Sequence, residues 1–163
     1  MSKIKLSILL LISLFIINCS SSNNLPKNNN KYSLEYIGGG YDGLVLKKQL
    51  TSMLRGFRSF DQNSKKTIKA DINHETEIFV TNINNTSDRE RVMTTLQVRV
   101  YDKELDCVIF KFNDEISQFY IYASSEKFLS NTKAVESIKY NNTEELVKNF
   151  VNDLTKIKSG CLK

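Results

Sequence analysis

The chain has 163 residues, of which 40% are hydrophobic, with three cysteines, one histidine and a net charge of +5. Loss of Lys3 and Lys5 with a cleaved leader leaves +3, too mild an excess to point to nucleic acid, and the lone histidine excludes a His-rich zinc site. About 130 residues remain after a leader and tether, enough for one hydrophobic core and too few for a second domain.

Met-Ser-Lys-Ile-Lys is followed by an apolar run from Leu6 to Ile17, broken by Ser7 and Ser13 and ending at Asn18-Cys19. Two lysines and about a dozen apolar residues make a secretory signal, residues 1–18, too short to span a bilayer comfortably. Cys19, followed by three serines, resembles the acceptor of a bacterial lipoprotein, although Ile16 and Asn18 stand where a leucine and a small residue are usual. The alternative is an ordinary signal peptide cleaved nearby. Residues 19–31, rich in Ser and Asn and holding the single proline, Pro26, read as a flexible tether. Residues 32–163 read as a single domain.

Tyr32 to Ile37 alternates as a short strand, and Gly38, Gly40 and Gly43 follow in the order G-x-G-x-x-G, the spacing of a dinucleotide-binding turn. From Leu44 to Phe60, Leu46, Leu50, Met53, Leu54 and Phe57 recur at helical spacing, with Lys47, Lys48, Arg55 and Arg58 on the wet side. From Glu75 the period becomes two, through Ile78 and Val80, and Asn82–Ser87 forms a turn. Arg91 to Tyr101 places Val92, Leu96, Val98 and Val100 on one face and Arg91, Gln97 and Arg99 on the other. Asp102–Asp106 connects to a strand from Cys107 to Ala123, with Val108, Phe110, Phe112 and Ile116 in phase and an aromatic end, Phe119-Tyr-Ile-Tyr122. From Asn131 the helical period returns through Ala134, Val135 and Ile138, then Leu146, Val147, Phe150, Val151, Leu154 and Ile157. Tyr140–Thr143 is a candidate break, with Asn142 and Glu145 as a capping box.

This order predicts an α+β fold, a two-layer sandwich in the order β-α-β-β-β-α, with a mostly antiparallel four-stranded sheet and two helices on one face. The other sheet face has no cover from its own chain. A dinucleotide fold needs several parallel βαβ units and an acidic residue after the second strand. Here antiparallel strands follow, so the glycines serve a strand-to-helix corner and no cofactor is implied. His74 beside Glu75 and Glu77 reads as a surface residue. Asp114 and Glu115 point to opposite faces of their strand and cannot act on one bond. No catalytic constellation and no metal site is visible. From Cys107 the strand runs away for roughly 50 Å and the last helix returns over roughly 42 Å. In an oxidising compartment these spans favour a Cys107–Cys161 disulfide, two free thiols being the alternative.

The lipidated Cys19, the glycine loop leading into "GLVLKKQLTSMLRGFRSF", the strand "RERVMTTLQVRVYD" and the stretch "FYIYASSEKFLSNTKAVESIKYNNTEELVKNFVNDL" together resemble the LptE family of lipopolysaccharide-assembly outer-membrane lipoproteins. The resemblance spans nearly the whole mature chain and rests on order, lengths and character. It implies a non-enzymatic protein, lipid-anchored in the outer membrane and facing the periplasm, that plugs the lumen of an LptD-like β-barrel, helps it assemble and helps receive lipopolysaccharide. Arg55, Arg58, Arg89, Arg91 and Arg99 are then candidates for lipopolysaccharide phosphates, and Tyr120 and Tyr122 for the barrel wall. The alternative function is a periplasmic lipid-binding or ABC-transport-auxiliary lipoprotein.

Overall fold

The computed structural model describes residues 30–80, 87–121, 128–157 and 160–162. The leader, Cys19, most of the tether, residues 82–86 of the expected turn and Tyr122 lie outside them. Strand β1 (Ser33–Ile37), helix α1 (Gly40–Gly56), strands β2 (Lys66–Val80), β3 (Ser87–Asp102) and β4 (Cys107–Ile121), and helix α2 (Phe128–Leu154) follow one another. The sheet order is β1-β2-β3-β4, with β1 parallel to β2 and the other pairs antiparallel. Both helices lie on one face, as the α+β sandwich requires.

The glycines of the first corner do two different jobs. Gly39 and Gly40 take φ values of 101° and 59° where β1 turns into α1, a region that side chains with a Cβ rarely enter. Gly43 is needed for space, since a Cβ there would lie 2.4 Å from the Gly38 carbonyl oxygen. At the other end of α1, Ser59 N–H donates to Leu54 O at 2.8 Å and Arg58 N–H to Arg55 O at 2.9 Å. This is a Schellman closure with Arg58, at φ 55°, in the left-handed position that glycine usually fills.

Central strand β3 carries the core. Val92, Thr94, Leu96, Val98 and Val100 are buried in strict alternation, and each apolar member stabilises the fold by roughly 1.5–3 kcal/mol. Leu46, Leu50 and Leu54 of α1 and Leu146, Val147, Phe150, Val151 and Leu154 of α2 close over them. The Phe150 ring sits 6.1 Å from Phe110 and 5.6 Å from Phe112, centroid to centroid.

Several details differ from the sequence reading. β2 begins at Lys66 rather than Glu75, because Ile68, Ala70 and Ile72 already alternate inward. In β4 a bulge at Ile109, where Val100 faces Phe110 but Tyr101 faces Val108, turns Ile109 into the core and takes Val108 out of phase. α2 runs unbroken through Tyr140–Thr143, since Asn142 and Thr143 are buried within it and Asn142 bonds to β3 rather than capping a helix. His74, whose side chain is 3% exposed, is an interior residue and not a surface one.

Cys107 and Cys161 are joined in a disulfide across a sequence separation of 54 residues. Leu162 N–H donates to Val108 O at 2.9 Å, so the chain end lies along the outer edge of β4.

Candidate functional site

Two surfaces carry chemistry: the sheet face turned away from the helices, and a cleft between the helices above His74. The first follows from strand pairing. Cross-strand rows on the open face read Lys69/Arg99/Lys111, Asp71/Gln97/Asn113, Asn73/Thr95/Glu115, Glu75/Met93/Ser117, Glu77/Arg91/Phe119 and Arg89/Ile121. Most of this face is polar, with charges of both signs. Its character changes at one end, where Phe119 is 57% and Ile121 81% exposed.

Tyr120 is not part of that face. It stands opposite Glu90, in the parity of Val92, and its hydroxyl donates to the Glu90 carboxylate on the helix side. Neighbours on a strand point to opposite faces, so the exposed apolar pair is Phe119 and Ile121 in place of Tyr120.

The five candidate arginines do not gather at one point. Arg89, Arg91 and Arg99 share the open face of β3, but Arg91 and Arg99, eight residues apart, are separated by about 26 Å along the strand. Arg91 is paired with the Glu77 carboxylate. Arg55 and Arg58 lie elsewhere, where α1 closes against β1: Ser59 O accepts from Tyr32 N–H at 2.8 Å. There the Arg55 guanidinium sits 5.2 Å above the Phe60 ring. Asp114 and Glu115 fall on opposite faces, beside Leu96 and Thr95 respectively.

The second surface is built around His74. Its Nδ1 lies 2.8 Å from Thr94 Oγ1, and Asn142 Nδ2 donates to the same hydroxyl at 3.1 Å. The hydroxyl can give its one proton to Nδ1 or accept from it, so this contact suits either ring tautomer. The Asp42 carboxylate facing Nε2 favours the tautomer that carries the ring proton there. Nε2 points toward Asp42 Oδ2 at 3.9 Å, beyond hydrogen-bond length. Burial pushes the His74 pKa down, Lys139 adds to this, and Asp42 acts the other way; the net direction is downward, so the ring is neutral at pH 7. Above it opens a cleft of about 480 Å³ lined by Tyr41, Asp42 and Val45 of α1, His74 of β2, and Glu136, Lys139, Tyr140 and Thr143 of α2. Beside it Asn142 Oδ1 is buried without a partner among the described residues.

Sequence reasoning passed over this cluster because the acidic neighbours Glu75 and Glu77 made the segment look solvated. The signal that reveals it is parity: His74 continues the inward series Ile68, Ala70, Ile72.

No protein-family model matches the chain, and no curated protein sequence matches it. Solved structures do. Lipoprotein B from Nitrosomonas europaea superposes with a TM-score of 0.61 at 11% identity, covering 77% of this chain and 82% of that one. A minor lipoprotein from Acinetobacter baumannii gives 0.57 at 14% identity, with 78% and 91% covered. Rare lipoprotein B from Shewanella oneidensis gives 0.56 at 11% identity, with 78% and 98% covered. At these identities the likeness is one of fold: the described domain has an architecture that bacterial lipoproteins carry.

Proposed function

We propose that the protein is a non-enzymatic outer-membrane lipoprotein, anchored through Cys19, that seats in the lumen of an LptD-like β-barrel, helps that barrel assemble and assists lipopolysaccharide insertion. The observation that carries this reading is the open sheet face. A barrel interior is polar, and a plug must offer it a polar, mixed-charge surface with a local apolar foothold. Six cross-strand rows of this face meet that description, with Phe119 and Ile121 as the foothold. Arg89, Arg91 and Arg99 lie on the same face, where lipid phosphates passing along the wall would meet guanidinium groups. The lipoprotein folds that superpose on the domain, and the signal and cysteine at the N-terminus, support the anchored placement. At the end where β2 and β4 begin, the space between sheet and helices is filled by Phe110, Phe112, Phe150 and their neighbours, which disfavours a carrier that holds a lipid chain along the length of the layer.

The test is affinity purification of the full-length protein from detergent-solubilised envelopes. A large outer-membrane barrel at one-to-one stoichiometry, lost when Phe119 and Ile121 are both replaced by Asp, is the expected result. An inner-membrane transporter subunit, or recovery of the barrel undiminished by the double replacement, overturns it.

A further inference from the structure

We propose that the cleft between α1 and α2 above His74 is a carbohydrate-binding site that takes a neutral sugar ring of a glycan. The assignment follows from the groups that converge there. The His74 ring is held by Thr94 through Nδ1, and Nε2 faces Asp42 Oδ2 at 3.9 Å, where that carboxylate favours the ring proton. A donor and an acceptor at that separation are both satisfied by one group that accepts from the first and donates to the second. A hydroxyl does this, whereas a carboxylate or a phosphodiester has no proton to give Asp42. Asp42, Glu136 and Lys139 give the lining two carboxylates and one ammonium, a balance that disfavours an anionic ligand. Tyr41 and Tyr140 present exposed rings, 80% and 49% accessible, at its mouth. Aromatic faces there suit the C–H faces of a pyranose. The volume falls within the roughly 300–1,000 Å³ of small-molecule sites.

The site is independent of the barrel reading, since it lies on the helix side of the sheet and uses none of the open-face residues. A sugar ring can reach it from a soluble glycan strand or from a glycolipid headgroup, and the chemistry recognised is the same.

The protein reports on this site by itself, because His74 is its single histidine and the imidazole ¹⁵N signals are therefore unambiguous. The full-length protein, carrying a histidine-free tag and held in detergent, is titrated with the methyl glycosides of glucose, galactose, mannose and N-acetylglucosamine up to about 20 mM, a range that captures millimolar affinities. At least one glycoside is expected to move the His74 Nε2 resonance saturably. Tyr41→Ala and Asp42→Asn should each weaken that binding about tenfold, the worth of one hydrogen bond or ring contact, with melting unchanged, while Phe119→Ala leaves it as it was. Displacement by vesicles bearing a glycolipid of the same sugar assigns a membrane source, and displacement by soluble oligosaccharide alone assigns a soluble one. Silence of the His74 signal toward all four glycosides, shifts that persist in both cleft variants, or equal displacement by plain phospholipid vesicles overturns the proposal.

Discussion

The layer between sheet and helices is made of different material at its two ends. Where β2 and β4 begin, Ile68, Val98, Val100, Leu54, Phe150 and Leu154 are all but fully buried and touch apolar neighbours. Eight residues further along β2, the same inward positions hold His74, Thr94 and Asn142, linked through one hydroxyl and leaving Asn142 Oδ1 without a partner among the described residues. The first end stabilises the fold by apolar burial. The second costs stability, because each buried polar atom must be matched or left short, and it is also the end where the helices leave a cleft. The division shows where the molecule spends its stability and where it keeps room for a ligand.

The widest expected gap between the two ends comes from paired truncations. Phe150→Ala removes a ring packed against Phe110 and Phe112 and should cost about 3–5 kcal/mol in urea unfolding. Tyr41→Ala, on an 80% exposed side chain at the cleft mouth, should stay within about 0.5 kcal/mol. Comparable losses from both would mean that the cleft tyrosine is part of the core and that the contrast drawn here is wrong.

Much of this division could be read from the chain, and the parts that could not have identifiable causes. Val92, Leu96, Val98 and Val100 announce β3 because its two faces differ in polarity. The stripes of α1 and of the second half of α2 are equally plain for the same reason. The first half of α2 is not plain: Ala134, Val135 and Ile138 are only partly buried, while Asn131, Asn142 and Thr143 are buried. The period through Ala134, Val135 and Ile138 is visible, but a helix that turns Asn142 and Thr143 inward interrupts its apolar stripe there, and the Asn residues look like a break. The bulge at Ile109 was hidden because inserting one residue changes phase without changing composition. Tyr120, a candidate for the barrel wall, falls on the helix side because the parity of β4 sets it opposite Glu90.

A second, smaller effect sharpens the contrast through the disulfide, which sits at the apolar end. Cys161→Ser frees the 54-residue separation now closed by the bond and should lower stability by about 2–4 kcal/mol, mainly by enlarging the unfolded ensemble. Hydrogen exchange locates the local part of the change. The amides at the start of β4, where Leu162 N–H holds Val108 O, should lose protection, whereas the His74 imidazole signals stay in place. Movement of those signals would show that the two ends are coupled rather than separate.

The smallest effect belongs to the polar end alone and is read by pH. His74 is buried between α1, β2, β3 and α2, faced by Asp42 and Lys139, with Glu136 on the same cleft. Burial and Lys139 together outweigh Asp42, so its pKa in the folded protein lies below the 6.5 of the unfolded chain. Between those two values the unfolded state binds more protons than the folded one, and stability therefore rises with pH. The His74 contribution is complete above about pH 6.5 and is lost as the pH falls below it. Urea midpoints measured from about pH 7.5 down to 5.5, a window above the ordinary carboxylate range, should fall for the native chain and stay nearly flat for His74→Gln, which keeps a neutral polar group in the same place. A flat profile for the native chain would mean that Asp42 closes its 3.9 Å gap on protonation and compensates the buried charge. The polar end would then tolerate a cation, and the neutral donor assigned to Nε2 would hold only above the pH at which the ring protonates.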